Sequence, residues 1–372
     1  MPDPDLLRDP ERILMGPGPG NPHPSVVAAL TEPMVGHLDP AFLATLDETN
    51  ARLRTAFGTD NALTFPVSGT GSAGMEIGFV NLVRPGDPVV VGVNGVFGGR
   101  MVDVAERCGA EVIPVEVPWG QPVPPDALLG AHPDPAIIAV VHAETSTGVR
   151  SDLEALGAGK GEALLLVDCV TSIGGIALDV DAWGIDVAYA GTQKCLAVPP
   201  GLAPLTVSDR ARERLVERPR SWYLDLSLIA GYVESDGGRA YHHTAPISMI
   251  RALNAGLGAL LDEGLDIAWS RHAACGEALR AGLVERGFEL FAAEGHRLPQ
   301  LTTVVVPQDR LPADLDEAGV RRRLLEDYHI EIGGGLGPVA GRVWRIGCMG
   351  HTARLRNVAL LLAALDDLLV PA

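Results

Sequence analysis

The sequence predicts an α/β fold, in which a mostly parallel sheet carries helices on both faces, followed by a smaller α+β domain. Short apolar runs with the length of buried strands alternate with helical segments, and they centre near residues 63, 90, 113, 139, 165 and 187. This alternation is typical of parallel sheets, because parallel neighbours need a long crossover connection. After Pro200, a further run at 202–207 is expected to turn back along the sheet.

The length and composition of the chain favour two domains. With 372 residues, of which 47% are hydrophobic, the chain is too long for one ordinary core. We predict an N-terminal arm at 1–14, a large domain at 15–250 and a small domain at 251–372. The arm is acidic and rich in proline, and it either moves freely or packs on a partner. The small domain is expected to contain long helices and a few strands.

Charge, hydropathy and cysteine content exclude several classes of protein. The formal charge of −18, without a basic stripe, argues against nucleic acid as a partner. No apolar run reaches the length of about eighteen residues that a membrane span needs, and the amino terminus is unlike a signal peptide. Five scattered cysteines form no CxxC pair and no metal-ligand spacing. Together these features predict a cytoplasmic protein without a metal site.

Polar side chains follow most of the predicted strands, at the sheet edge where open α/β folds bind their ligands. They are Thr70 and Ser72, Phe97, Thr145, Asp168 and Thr171, and Gln193 and Lys194. Because the carboxyl ends of parallel strands meet at one edge, we expect these side chains to share one crevice. The convergence of the whole set carries this prediction, since each residue alone also fits a turn or a helix cap.

The stretch 68–76, SGTGSAGME, lies between a predicted strand and a helix expected from Ala73 to Val83. Small residues at a helix start leave backbone N–H groups and hydroxyls free, an arrangement that suits an anion such as phosphate. An ordinary capped helix explains the same pattern. The stretch is neither a Walker loop nor a full dinucleotide-binding turn.

Asp168 and Lys194 have the chemistry to serve a cofactor. Asp168 ends the predicted strand 163–167, and Lys194 follows the apolar stretch 185–190. A lysine beside apolar residues loses its proton readily and can attack a carbonyl group as a free amine. A buried aspartate can hold a proton on a heteroaromatic nitrogen. These are the two groups that pyridoxal phosphate needs from a protein, although either residue alone also fits a cap or a solvated loop.

Three other features are candidates for ligand contacts. Phe97 lies between glycines after a strand, in a predicted loop before a helix at 100–108, where an aromatic side chain can stack on a planar ring. Arg345, among apolar neighbours, can hold a carboxylate through its guanidinium fork or form a salt bridge between domains. The glycine–proline loop 16–21 either approaches a ligand closely or makes a simple turn.

Eight segments in order along nearly the whole chain repeat the motifs of one family. They are GPGPGN (16–21), VSGTGSAGME (67–76), NGVFG (94–98), HAETSTGV (142–149), LLLVDCVTSIGG (164–175), AGTQKCLAVPPGL (190–202), YHHTAPISMIRAL (241–253) and WRIGCMG (344–350). They resemble the class V aminotransferases of fold type I, in the alanine–glyoxylate and serine–pyruvate group. The resemblance implies a seven-stranded sheet and a homodimer with shared active sites. It also implies transamination between a small amino acid, such as alanine, serine or glycine, and a 2-oxo acid such as glyoxylate or pyruvate.

Carried over residue by residue, the resemblance implies that Lys194 forms the internal aldimine with pyridoxal phosphate and moves the proton. It implies that Asp168 pairs with the ring nitrogen and that Phe97, where relatives often have tryptophan, stacks on the ring. Further cofactor contacts are implied for Thr70, Gly71, Ser72, Thr145, Thr171 and Gln193, with Tyr241 and Thr244 from a neighbouring subunit. Arg345 and Gly18 are implied as contacts of the substrate.

Other chemistries remain open within this fold. A cysteine desulfurase-like lyase would need a nucleophilic cysteine on a mobile loop of the small domain, and the glycine-rich piece 332–336 carries none. An aminotransferase for an unusual amine, such as an aminophosphonate or pyridoxamine, is a second alternative. A protein that binds the cofactor without catalysis is a third.

Overall fold

Helices and strands alternate along most of the chain in the computed structural model, which describes residues 11–234 and 239–369. The first ten residues of the predicted arm lie outside this range. The strands are β1 Ile13–Leu14, β2 Leu63–Ser68, β3 Pro88–Val93, β4 Glu111–Glu116, β5 Ile137–Val141, β6 Ala143–Glu144, β7 Val149–Arg150, β8 Leu164–Asp168, β9 Val187–Tyr189, β10 Leu202–Val207, β11 Leu301–Val305, β12 Ile330–Glu331, β13 Gly333–Gly334 and β14 Val343–Gly347. The helices are α1 Pro24–Leu30, α2 Pro40–Phe57, α3 Gly71–Leu82, α4 Val96–Arg107, α5 Pro125–Leu129, α6 Leu153–Gly159, α7 Asp209–Arg212, α8 Leu226–Val233, α9 Ile247–Glu263, α10 Leu265–Glu285, α11 Glu317–Asp327 and α12 Leu355–Leu368.

The central sheet has seven strands in the order β2-β10-β9-β8-β5-β3-β4. Neighbours from β9 to β4 run parallel, whereas β10 runs antiparallel to both β9 and β2. The α/β class, the mostly parallel sheet and the strand that turns back are therefore confirmed. β8 lies at the centre of the sheet, and all five of its residues are buried because helices cover both faces.

The register of the central strands aligns their carboxyl ends. Asp168, the last residue of β8, lies opposite Val141 of β5 and Tyr189 of β9. The segments that follow these strands therefore begin at the same edge of the sheet. This alignment is what positions the candidate site.

Two helices begin earlier than the sequence predicts. α3 begins at Gly71 rather than Ala73, and α4 begins at Val96 rather than Arg100. The prediction that Phe97 lies in a loop is therefore wrong, since Phe97 is in the first turn of α4. Hydrogen bonds from a distant part of the chain, described below, hold this turn in the helix.

The described residues form two large apolar cores and one small cluster of six buried residues. The first surrounds the central sheet and includes residues of α9 as far as Leu260, together with Ala268. The second surrounds the three-stranded sheet β11-β14-β13 and includes Met15. β1 pairs with β12, so the segment before the first core is attached to the second. The domain boundary near residue 250 stays a prediction.

No helix within the described ranges has both the length and the apolar composition that crossing a membrane requires.

Candidate active site

One pocket brings together nine of the predicted site residues at the carboxyl edge of the sheet. Its walls come from segments at the ends of β2, β3, β5, β8 and β9. The nine are Thr70, Gly71, Ser72, Phe97, Thr145, Asp168, Thr171, Gln193 and Lys194, and the remaining lining residues are Met75, Arg100, Val141, Ala143 and Val170. The aspartate and the lysine therefore face the same space.

Lys194 lies in the turn after β9 and is largely enclosed by protein. Its Nζ donates a hydrogen bond to the carbonyl oxygen of Pro17. Gly18 passes so close that a Cβ at this position would lie 2.6 Å from Nζ, and its φ of +105° also favours glycine. Burial, followed by the positive charge of Arg345, lowers the pKa of Lys194 to about 8. The amine can therefore lose its proton close to neutral pH.

Asp168 is buried at the end of β8 and lines the same pocket as Lys194. Its Oδ1 accepts a hydrogen bond from the backbone N–H of Val170 at 2.8 Å, and its Oδ2 accepts one from the hydroxyl of Tyr189 at 2.9 Å. Burial raises the pKa of Asp168 to about 6, although these two hydrogen bonds oppose the shift. A cationic partner in the pocket would therefore stabilise this carboxylate strongly.

A second buried carboxylate, Glu144, holds the first turn of α4. Its Oε2 accepts hydrogen bonds from the backbone N–H groups of Phe97, at 3.0 Å, and Gly98, at 3.3 Å. Its Oε1 accepts from the backbone N–H and the hydroxyl of Ser146, at 3.0 and 2.6 Å. A carboxylate at a helix N-terminus is favoured by the helix dipole. Glu144 therefore fixes the position of the Phe97 ring and of the loop that contains Thr145.

The N-terminus of α3 is open towards the pocket. Its N-cap residue, Thr70, makes no side-chain cap, so the first backbone N–H groups have no hydroxyl partner from that residue. Arg100 reaches across from α4, where its Nη1 donates to the hydroxyl of Ser72 at 3.2 Å and its guanidinium lies 5.0 Å from the centre of the Phe97 ring. Together, a helix N-terminus and an arginine make a site for an anion.

Four predicted site residues do not line this pocket, and one of them, Gly18, lies directly against the side chain of Lys194. Arg345 is buried on β14, where its Nε donates to the carbonyl oxygen of Gly334 at 2.7 Å. It is near enough for its charge to lower the pKa of Lys194. Tyr241 and Thr244 lie elsewhere, on a loop where their hydroxyls are 3.2 Å apart, and Tyr241 is 60% exposed.

The sequence reasoning missed Arg100, Tyr189 and Glu144. Tyr189 and Glu144 look like ordinary strand residues in the sequence, and only long-range hydrogen bonds reveal their roles. One simple signal was available for Lys194, because the chain contains only two lysines. The other, Lys160, forms an ion pair with Asp186.

Comparisons with known proteins assign the family. The sequence pattern described as Aminotransferase class-V matches residues 26–335. The chain belongs to the class V aminotransferases. It is an enzyme that depends on pyridoxal phosphate, and the family expected from the sequence motifs is confirmed.

Three relatives match this aminotransferase over nearly its whole length. The alanine–glyoxylate aminotransferase of Oryctolagus cuniculus is 39% identical, and the alignment covers 98% of this chain and 95% of the relative. The (S)-ureidoglycine–glyoxylate transaminase of Bacillus subtilis (strain 168) is 36% identical, with coverage of 98% and 92%. The crystal structure of an alanine–glyoxylate aminotransferase from Nostoc sp. matches with a TM-score of 0.93 at 47% identity, with coverage of 99% and 97%.

The pocket of this aminotransferase fits pyridoxal phosphate. The open N-terminus of α3 and Arg100 suit the phosphate group, while the buried carboxylate of Asp168 suits the ring nitrogen. The Oε1 atom of Gln193 is buried without a hydrogen-bond partner in the protein. A buried polar atom of this kind normally has a partner, and rotation of the Gln193 amide by half a turn would place its NH2 group there, where it can donate to an oxygen of the phosphate group.

We predict that Asp168→Asn stabilises the cofactor-free protein above pH 6 and weakens its affinity for pyridoxal phosphate. Between pH 3.8 and about 6, the folded state keeps a proton on Asp168 that the unfolded chain has lost. The stability of the wild type relative to the variant is therefore highest below this range and falls as the pH rises through it. Above pH 6 the difference in free energy of unfolding should approach about 3 kcal/mol at most.

Urea unfolding of both cofactor-free proteins from pH 4 to 8 measures this difference, and titration with pyridoxal phosphate measures the affinity. The matched control is Asp60→Asn, since Asp60 is exposed and does not line the pocket. A difference between the Asp168 variant and the wild type that stays constant from pH 4 to 8 would contradict the prediction.

Proposed function

We propose that this enzyme transfers the amino group of a small amino acid, of the alanine, serine or glycine type, to a 2-oxo acid such as glyoxylate or pyruvate. The observation that carries the proposal is that Lys194 and Asp168 line one pocket, with Arg345 close enough to influence the lysine. The names of the similar relatives support glyoxylate as the acceptor.

Each of these side chains has a definite task in this reaction. When bound, pyridoxal phosphate supplies an electron sink for bond cleavage at the substrate Cα. Lys194, with its lowered pKa, takes the Cα proton as a neutral amine and returns it as an ammonium group. Asp168 holds a proton on the ring nitrogen of the cofactor. Phe97 and Thr145, both fixed through Glu144, orient the ring.

Arg345 binds the carboxylate of the substrate. Its Nε is held by Gly334, and its two terminal nitrogens have no hydrogen-bond partner among the described residues, so the guanidinium fork is available for two-pronged binding. Gly18, opposite Lys194, leaves space for only a small substrate near the amine. Arg100 is the one arginine among the described residues that lines the pocket, and we assign it to the phosphate group. No further arginine is then left in the pocket lining for a distal carboxylate, which favours donors with short side chains.

The enzyme works as a homodimer in which Tyr241 and Thr244 reach the phosphate site of the partner. Both lie outside the pocket of their own chain. They are on a surface where Trp222 is 64% exposed and Tyr241 is 60% exposed. Large exposed aromatic side chains are common at interfaces between proteins, and pairing with a second copy would cover them.

The cysteines argue against the lyase alternative. All five are free and buried, and burial raises the pKa of both Cys195 and Cys348 to about 12. A desulfurase needs an accessible thiolate as its nucleophile. The absence of disulfides among these residues also supports our placing the enzyme in the reducing cytoplasm.

We expect Lys194→Ala to abolish turnover. The loaded wild type should be yellow, with absorption near about 420 nm, and borohydride reduction should attach the cofactor to the peptide that contains Lys194. The control is Lys160→Arg, which keeps the ion pair with Asp186 and should retain both activity and labelling. Full activity in Lys194→Ala, or labelling of Lys160, would refute the mechanism.

A screen of amino donors tests the substrate class. Alanine, serine and glycine with glyoxylate or pyruvate should give kcat/KM values at least about tenfold above those for aspartate or glutamate, because a distal carboxylate would lack a partner for its charge. Aminophosphonates, pyridoxamine and ureidoglycine belong in the same screen. A clear preference for one of these, or for an acidic donor, would replace the proposed substrate.

Mixing two inactive variants tests the shared site. The hybrid dimer contains one Lys194→Ala subunit and one subunit with both Tyr241→Phe and Thr244→Ala. If the lysine of a site comes from one subunit and the tyrosine and threonine come from the other, one of the two sites in this hybrid has all three residues intact. We therefore expect the activity to rise when the two proteins are unfolded and refolded together. Activity that stays at the level of the separately refolded variants would show that the three residues serve one chain.

A further inference from the structure

A second cavity lies behind the loop that carries Lys194, away from the active-site pocket. It has a volume of about 220 Å³, against about 110 Å³ for the pocket at Lys194. Its walls come from the segment 195–197, one face of α9, the start of α10 and the turn before α12. An apolar cavity of about 150 Å³ holds benzene, so this one can hold a small organic molecule.

Positive charge predominates around this cavity. Its polar lining residues are His23, Glu263, Arg271, His351 and Arg354. Glu263 is its one carboxylate, and both oxygens of that group accept hydrogen bonds from Arg271, at 2.6 and 2.8 Å. Arg354 has no carboxylate partner within the described ranges. An unneutralised arginine is notable in a chain with a formal charge of −18.

The hydrogen bonds of the two histidines leave a donor on each ring. Nδ1 of His351 lies 2.9 Å from Nη2 of Arg354, and it must accept because a guanidinium can only donate. Nδ1 of His23 accepts from the backbone N–H of Ser25 at 3.2 Å, and it lies 2.8 Å from the hydroxyl of Ser25, which can donate to the same nitrogen. Each neutral ring therefore carries its hydrogen on Nε2, and neither Nε2 has a partner among the residues that the structure describes. The two rings are 5.1 Å apart.

The cavity therefore presents several hydrogen-bond donors, while the carboxylate in its lining is already paired with Arg271. Burial, followed by the electrostatic effects of Arg354, His23, Arg271 and Arg356, lowers the pKa of His351 to about 4. Burial makes the largest contribution to this shift, and a positive potential inside the cavity adds to it. The electrostatics and the hydrogen bonding thus favour the same kind of ligand.

We propose that this cavity is a binding site for a small oxyanion, held by Arg354 and by the Nε2–H groups of His23 and His351. The ligand is either an inorganic anion of the phosphate type or a small carboxylate. It would contact the segment that directly follows Lys194, where Ala197 has a φ of +55° and its carbonyl oxygen accepts from the backbone N–H of His23 at 3.1 Å. The site is separate from the substrate carboxylate site at Arg345.

Calorimetric titration of the enzyme loaded with pyridoxal phosphate tests this site, because the cofactor then fills the phosphate site. Sodium sulfate and sodium glycolate are the two probes, at constant ionic strength. We expect saturable binding of at least one, which identifies the type of anion. Arg354→Gln and His351→Asn should each weaken it about tenfold or more, the loss expected for a charge-assisted hydrogen bond.

Two further variants locate the binding. Arg322→Gln removes an exposed charge on α11 that does not line the cavity, and it should leave the affinity unchanged. Arg345→Gln should also leave it unchanged. The proposal is overturned if neither anion binds, if Arg345→Gln alone abolishes binding, or if the variants of Arg354 and Arg322 weaken it equally. Melting temperatures of all variants check that each remains folded.

Discussion

The burial of two ionisable side chains in one pocket is the constraint on which the rest of this site depends. Burial displaces the pKa of Asp168 upwards and that of Lys194 downwards, so each shift favours the neutral form. Neither shift stabilises the folded chain, because the charged form of each group loses its hydration without gaining a full counter-charge. The same shifts prepare the lysine to lose a proton near neutral pH and leave the aspartate ready for a cationic ring.

The fold holds these side chains through the register of its central strands and through a small number of carboxylate contacts. β8 ends at Asp168 beside Tyr189 of β9, whose hydroxyl holds one oxygen of the aspartate. Glu144 lies in the β6–β7 hairpin that follows the neighbouring strand β5. It organises the other wall of the pocket by accepting hydrogen bonds from the N-terminus of α4. The aromatic ring and the acid are thus fixed by elements that adjoin in the sheet.

The surroundings of Lys194 show how two parts of the fold, each with its own apolar core, contribute to one residue. Pro17 and Gly18 come from the segment before α1, which β1 attaches to the second core through β12. Arg345 comes from β14, a strand of that same core. On its reverse side, the lysine loop borders the cationic cavity between α9, α10 and the turn before α12. A change at either face of this loop is therefore close to the reactive amine.

The sequence by itself determined the order of the central strands and helices and the polar residues at the strand ends, with Lys194 and Asp168 among them. These features follow from local apolar runs and from motifs of a few residues. It placed Phe97 in a loop, because the carboxylate that holds the first turn of α4 lies 47 residues further along the chain. The contacts of Tyr189 and Arg100 and the cavity behind the lysine could not be predicted from the sequence either. Only the tertiary structure decided these features, since hydrogen bonds and burial between distant segments leave no periodic signal in the sequence.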